Sequence, residues 1–503
     1  MECEVNLDPT RVAEILLSWK DLQLTSCQTF QTLWSGYGFI CNITARPVPG
    51  AEDWAAQHLD PYCPPNAAGD YPLILKIVVP PHGDNYYESE GHLRKMLSYE
   101  VEQFFYYMVA PMLPDDVPVA RHVSSTRDRE NAPPELAGVL ATIITDLRPL
   151  HPVVPAKGEP LSPVQVQAAL GWLARFHGES YKYLPIGIDD FILPPLEEAR
   201  YRSEFGVRSN LWRNGGYTYL ATRRQEYDNL EQDEDSEWSD KLCCPIEGYS
   251  KSVAELVADF LAPRGRRFEV FVHGDVKAEN MVTDVPGSSV AFFDFQYIGL
   301  GLGVCDLAKL LTCSVSLEQL LGTTADAAVP EQLEYSMPMC DGERQLLWQY
   351  WNALKRFGDR KGVYYSWELF VRHWEAALVD WLRFQASWGF WGNTRWLEAR
   401  VRSILQDQSW WDWLDKAEKH DGTCPDDVGG SRRDDKNDSA EAMDVDALSG
   451  GKAGAGGDSA AGASGKASKD AMMEAIHGSE VQQQQQQQQH MLQRGNRRSL
   501  VSE

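Results

Sequence analysis

Two short apolar runs, each closed by an aspartate, constrain this chain more than any other feature of its sequence. The first, 270–274, leads into His273-Gly274-Asp275-Val276-Lys277-Ala278-Glu279-Asn280. The second, 290–293, leads into Asp294-Phe295-Gln296. Such runs read as short strands that stop at a polar loop. Phosphoryl transfer needs the set that follows them. One carboxylate sits at an acceptor hydroxyl and orients it or takes its proton, while a carboxylate and an amide oxygen hold magnesium against the phosphates. Asp275 is the candidate for the first role. Asn280 and Asp294 are the hard oxygen ligands for the second.

The rest of the chain divides around this motif. A short helix is expected over 9–19, two strands over 29–45 around the turn Gly36-Tyr37-Gly38, a loop over 46–71, and a strand over 71–79. A helix over 93–112 should gather Phe104, Phe105, Met108 and Met112 on one side. A second buried strand, 138–145, ends in Asp146-Leu147-Arg148-Pro149. Ser162-Pro163 opens a helix, with proline at the first helical position. The stretch 181–267 reads as helices separated by an acidic loop, and 305–414 reads as helical. Lys76 sits inside the apolar strand Ile74-Leu75-Lys76-Ile77-Val78, where a lysine is costly unless paired.

These residues resemble the protein-kinase-like superfamily, specifically its small-molecule branch. That branch includes aminoglycoside phosphotransferases, choline kinases and the ecdysteroid-kinase-like (CHK kinase-like) group. The last shows Asp-Phe-Gln at the position of Asp294-Phe295-Gln296. The resemblance spans roughly residues 25–400. It implies an α+β, two-lobed protein-kinase-like fold, with a β-rich N-lobe over 1–145 and a mainly helical C-lobe over 146–414. It also implies ATP and Mg2+ as cofactors. Gly36 and Gly38 then belong to the hairpin that covers the phosphates, and Lys76 to the α/β-phosphates. Glu102 is the favoured partner of Lys76, with Glu100 the alternative. Asp146 falls at the hinge that meets adenine through backbone groups, where Thr145 departs from the family's usual glutamate. His177 reads as structural.

The acceptor class follows from what comes after Asp294. Lys277, two residues after Asp275, resembles the lysine of a protein-kinase loop and is a candidate helper at the γ-phosphate. Gly274, however, stands where protein kinases carry an arginine. Asp306 lies only twelve positions after Asp294, and no Ala-Pro-Glu motif follows. The expected function is therefore an ATP- and Mg-dependent kinase acting on a small-molecule hydroxyl, less readily on an amine. Asp306 is expected to cap its helix and brace the loop. The alternatives are a catalytically inactive kinase-like binding module and, behind it, a protein kinase. The tryptophans crowded between Trp348 and Trp413 include Trp367, Trp374 and Trp381 at seven-residue spacing, which reads as one packed helix stripe.

Composition sets the outer limits. The 503 residues carry 47 Lys+Arg against 73 Asp+Glu, a formal −26 that disfavours nucleic acid as a partner. The segment 415–503 has no aromatic residue, contains the glutamine run 482–489, and reads as a disordered tail. It holds 16 acids and 11 bases, so most of the acidity belongs to residues 1–414. No apolar run approaches membrane-spanning length, no leader is expected at the N-terminus, and ten scattered cysteines fit reduced thiols in the cytoplasm.

Overall fold

The computed structural model describes residues 7–33, 36–80, 89–129, 133–184, 187–246, 249–323 and 330–419. The tail from 420 onward, with its glutamine run, lies outside the described residues.

The β-rich part comes first. Helix α1 (Pro9–Ser18) starts at Asp8, whose carboxylate accepts the Thr10 amide at 2.9 Å, with Pro9 in the first turn. Then come β1 (Leu22–Thr32), β2 (Gly38–Pro47), α2 (Glu52–His58), β3 (Tyr71–Val78), α3 (Glu90–Phe104), β4 (His122–Ser125) and β5 (Leu140–Thr145). The strands form one antiparallel sheet in the order β1-β2-β3-β5-β4. Strand alternation sends Leu73, Leu75 and Ile77 of the central β3 into a core with Val12, Leu16 and Ile43, beneath α1. Lys76 therefore faces the other side of the sheet, between its register partners Ile40 and Thr142.

Two expectations for this part are corrected. The 46–71 segment is not all loop: α2 forms there, with Glu52 and Asp53 favourably placed in its first turn and Ala55 buried. The helix over 93–112 does not keep one apolar side. Beyond Phe104 it widens into a π turn, Phe105–Val109, and closes with a 3-10 turn, Ala110–Met112. The widened turn shifts the helical phase, so Phe105 is buried while Met108 and Met112 are each 45% exposed.

The helical part follows. Helix α4 (Pro163–Ser180) opens with a reciprocal cap in which Ser162 Oγ accepts the Gln165 amide and Gln165 Oε1 accepts the Ser162 amide. Helices α5 (Pro195–Phe205), α6 (Arg224–Glu231) and α7 (Val253–Leu261) lie within the 181–267 stretch. Four short strands, β6 (Glu269–Val272), β7 (Met281–Thr283), β8 (Val290–Phe292) and β9 (Gly299–Leu302), make two antiparallel pairs, β6 with β9 and β7 with β8. The described residues close with α8 (Val304–Ser314), α9 (Leu317–Leu321), α10 (Asp341–Lys361), α11 (Trp367–Trp388), α12 (Thr394–Gln406) and α13 (Gln408–Lys419). Trp374 and Trp381 are buried and Trp367 packs against the same core, so the tryptophan stripe is packing. Helix α13 buries Trp410, Leu414 and Ala417, which carries the helix to Lys419, past the point where the tail was expected to begin. Among the described residues, no helix is long and apolar enough to cross a membrane.

Candidate functional site

The two aspartate loops lie side by side because the strands before them are tied together. His273, at the end of β6, is fully buried. Its Nδ1 accepts the Asp275 amide at 3.3 Å, and its Nε2 donates to the carbonyl of Phe293, the residue before Asp294, at 3.0 Å. Burial lowers the pKa of His273, which suits a neutral ring with one donor and one acceptor. The Phe293 amide in turn donates to the Asn280 carbonyl at 3.0 Å.

The first loop is fixed from below. Asp306, in the first turn of α8, is completely buried. Its carboxylate accepts the amides of His273 (2.7 Å) and Gly274 (2.9 Å) and lies 3.1 Å from His177 Nε2. Burial would raise the Asp306 pKa, but the hydrogen bond and charge of His177 outweigh it and bring it below the ordinary value. Asp306 makes no cap bond to its own helix, so the expected capping role is corrected to bracing alone. Lys309, one turn further along α8, donates to the Gly274 carbonyl. Gly274 has φ +87°, and a Cβ there would sit 2.7 Å from the Gly216 amide nitrogen, so only glycine lets the chain turn here.

Asp275 leaves this turn with its carboxylate held. Lys277 Nζ lies 3.0 Å from Asp275 Oδ2, and Asn280 Nδ2 is 3.0 Å from the same oxygen. Burial alone would raise the Asp275 pKa, but the charges of Lys277 and Lys309 outweigh it and bring it below the usual carboxylate value. Burial likewise opposes the charge of Lys277, and Asp275 and Glu279 overcome it, raising the Lys277 pKa.

Lys76 reaches the same region from the sheet. Its Nζ pairs with Glu102 Oε2 at 2.6 Å and stands 3.8 Å from Asp294 Oδ1. The alternative partner, Glu100, is instead 2.9 Å from Arg202. Burial pushes the Glu102 carboxyl up to about 6, with Lys76 lowering it and Asp294 raising it. Asp294 adopts φ +65°, uncommon for a residue other than glycine, and its Oδ1 accepts from Gln296 Nε2 at 2.7 Å. Asp294 and Asn280 are hard oxygen donors on adjoining loops, which suits magnesium. Among the described residues, no cluster of three or more His, Cys, Asp or Glu could hold a metal unaided. A two-residue set of this kind relies on phosphate oxygens and water for its remaining ligands.

The other expected positions lie along the sheet. Gly38 pairs with Val78 in register, two residues from the Ile40–Lys76 pair, and a Cβ at Gly38 would collide with the Ile77 carbonyl. Gly36 has φ +75° and open space around its Cα. Between them Tyr37 is buried, with its hydroxyl 2.8 Å from His92 Nδ1 of α3. Asp146 follows β5, but its carboxylate is taken up by Arg148, whose Nε lies 2.8 Å and 2.9 Å from the two oxygens. Any adenine contact there falls to the backbone. Sequence reasoning misses Lys309 and the hydrogen bonds that Gln296 makes to Asp294 and Ser98. The signal for Lys309 is a lysine three residues after Asp306 on an otherwise apolar helix.

A cavity of about 20 Å³ lies behind Lys76 and Glu102, lined also by Tyr99, Gln103, Tyr106 and Thr142. A groove of about 690 Å³ lies elsewhere, between Asp116, Gln167, Trp172, Arg175 and Ser289, and none of the residues above lines it.

Solved structures similar to this chain include a choline kinase from Cryptosporidium parvum, at 12% identity over 82% of this chain and 94% of that one, with a TM-score of 0.36. An ethanolamine kinase from Plasmodium vivax is 9% identical over 77% of this chain and 84% of its own, with a TM-score of 0.34. An aminoglycoside phosphotransferase from Streptomyces rimosus is 15% identical over 73% and 97%, with a TM-score of 0.28. No curated protein sequence matches. Residues 71–326, just over half of the chain, match the ecdysteroid kinase-like family. The matched stretch contains Lys76, Glu102, Asp146, Asp275, Lys277, Asn280 and Asp294, and leaves Gly36 and Gly38 outside. With the paired lysine, the braced aspartate loop and Asp294-Phe295-Gln296 all inside that match, the chain belongs to the ecdysteroid kinase-like family.

Proposed function

We propose that this protein is an ATP- and Mg-dependent phosphotransferase that acts on a hydroxyl group of a small molecule. The observation that carries the reading is the convergence of Lys76, Glu102 and Asp294 beside the Asp275–Asn280 pair. Lys76, kept in place by Glu102, binds the α/β-phosphates. Asn280 and Asp294 hold the metal. Bound Mg-ATP supplies the γ-phosphoryl group and an ion that draws off its charge.

Asp275 orients the acceptor hydroxyl. Because its pKa is depressed, it is ionised at neutral pH and a weak base. It accepts the hydroxyl proton late, as the oxygen bonds to phosphorus and the bond to the departing ADP breaks. Lys277 lies beside it and offsets charge on the transferring group.

The acceptor reading is supported by the short path from Asp294 to α8. That path is filled by a 3-10 turn, Phe295–Tyr297, and β9, which leave no long segment on which an extended peptide could lie. Tyr297 lies beside Tyr217, with ring centroids 4.8 Å apart and planes tilted by 45°.

The test is transfer from radiolabelled ATP to a panel of hydroxylated small molecules, with wild type and Asp275→Ala side by side. The expected result is label transfer by wild type only, with AMP-PNP binding retained in the variant. Absence of transfer together with absence of AMP-PNP binding by wild type would favour the inactive binding module.

A further inference from the structure

Helix α3 carries Glu102, yet little apolar burial holds it. Its buried apolar side chains are Leu97, Tyr99 and Val101. What fixes it is polar. Glu90, Arg94, Ser98 and Glu102 recur every four residues and form one slowly winding stripe. Each member is tied to a distant part of the chain. Arg94 Nε donates to Thr222 Oγ1 at 2.9 Å and its Nη2 to the Thr222 carbonyl at 2.7 Å, while Thr222 Oγ1 donates to Glu90 at 2.7 Å. Ser98 Oγ lies 3.0 Å from the Gln296 amide oxygen, and the same amide holds Asp294. Glu102 holds Lys76.

A fifth tie lies off this stripe. Glu100 Oε2 accepts from Arg202 Nη2 at 2.9 Å. Arg202 belongs to α5, and its Nε donates to Glu198 at 2.9 Å. Glu198 is fully buried and also accepts from Arg208 Nη2 at 2.6 Å and from the Leu193 amide at 3.0 Å. Burial opposes the Glu198 charge, but the two arginines prevail and lower its pKa. Exposed ion pairs hold little, whereas this one ends on a buried, fully bonded carboxylate, so Arg202 has a fixed anchor.

We infer that the 187–223 stretch is a strut that sets the position of α3, and that Arg202 is a positioning residue for the Lys76–Glu102 pair. The inference rests on the nucleotide-site reading above. It means that the pair is assembled by contacts within the chain, before any nucleotide arrives. Arg202 acts through Glu100 on the helix, two residues from Glu102, and never touches the nucleotide.

The experiment measures the Kd of AMP-PNP with magnesium by calorimetry on the full chain. The variants are Arg202→Ala, Glu102→Gln and the double variant, with thermal midpoints recorded alongside. Arg202→Ala should weaken binding about tenfold in the wild-type background and add nothing in the Glu102→Gln background, since residues acting through one pair are not additive. The midpoint should fall equally in both backgrounds. Equal loss of affinity in both backgrounds, or a lower midpoint with unchanged affinity, would show a merely structural role and overturn the inference. If Arg202→Ala fails to fold, Glu100→Ala cuts the same tie from the other end and leaves the anchor on Glu198 intact. It should weaken binding in the same direction, and unchanged affinity overturns the inference. Unchanged affinity in Glu102→Gln alone overturns the nucleotide-site reading itself, and the inference with it.

Discussion

Asn280 gives both hydrogens of its side-chain amide to Asp275, one to the backbone carbonyl at 2.9 Å and one to carboxylate Oδ2 at 3.0 Å. Two residues five apart are thereby one rigid unit, and the amide oxygen takes no part in either bond, as its proposed metal role requires. Asn280→Asp should be worse than a simple loss of one ligand. It removes both donated bonds and sets a second carboxylate against Asp275, which pushes the protonation of one of them upward. Transfer should fall by roughly a hundredfold or more, on the scale of losing a positioned polar group at a reacting centre. Raising magnesium should recover less activity in Asn280→Asp than in Asn280→Ala. Steady-state rates across a magnesium series check this.

Glu102 ties function to pH. Its carboxyl is pushed up to about 6, so it loses its charge as pH falls through that value, and the ion pair with Lys76 is lost. AMP-PNP affinity should therefore decline below about pH 6 in wild type and show no such limb in Glu102→Gln. The stability effect has the opposite sense. A carboxyl whose folded pKa lies above its ordinary value is tolerated best when protonated. Its contribution favours folding at low pH and is lost as pH rises through about 6. Wild type should lose about 2 kcal/mol relative to Glu102→Gln between pH 4 and pH 7. Urea unfolding at several pH values reads that difference, and a difference that stays constant with pH would sink the argument.

Asp306 is the keystone of the loop rather than a reacting group. Replacing it with alanine strands the buried amides of His273 and Gly274 and removes the acceptor facing His177. The cost should be about 3 kcal/mol or more, as for removal of one partner from a buried charged network. Its folded pKa lies below the ordinary value. Its stabilisation is therefore present above the ordinary carboxylate range and is lost as pH falls through the folded value. Chemical denaturation at neutral pH checks the first statement, and the acid unfolding midpoints of wild type and Asp306→Asn check the second.

Much of this was legible along the chain, and the limit is sequence distance. The lysine inside β3, the Ser162 cap of α4 and the two aspartates after β6 and β8 are local patterns, fixed by strand alternation and by the few residues beside them. What stayed hidden is the set of ties between distant residues. Glu100 meets Arg202 across 102 positions and Ser98 meets Gln296 across 198, and no periodicity encodes either pairing. Strand β4 is four residues long and ends in two serines, and β9 holds two glycines, so β-propensity passes over both. The π turn at Phe105–Val109 breaks the period from which the Met108 and Met112 positions were read. Asp306 occupies a position that reads as a helix start, and only the fold turns its carboxylate onto the preceding loop.

Lys277 has two separable effects on the proposed reaction. One is direct: its ammonium lies 3.0 Å from Asp275 Oδ2, where it would offset charge on the transferring group, so Lys277→Ala should slow transfer at every pH. The other acts through Asp275. Burial pushes that carboxyl up, and Lys277 is the foremost charge that brings it down. Without Lys277, Lys309 still lowers it, but less, so the Asp275 pKa should rise. The acid limb of kcat should then lie at higher pH in the variant than in wild type. Lys277→Met, closer in length, should behave like the alanine variant, because charge and not bulk is the cause. A pH profile of kcat at saturating nucleotide and acceptor separates the two effects. A uniform drop in kcat with an unmoved acid limb would leave Lys277 only its direct role, and would assign the depressed pKa of Asp275 to Lys309 and to its hydrogen bonds.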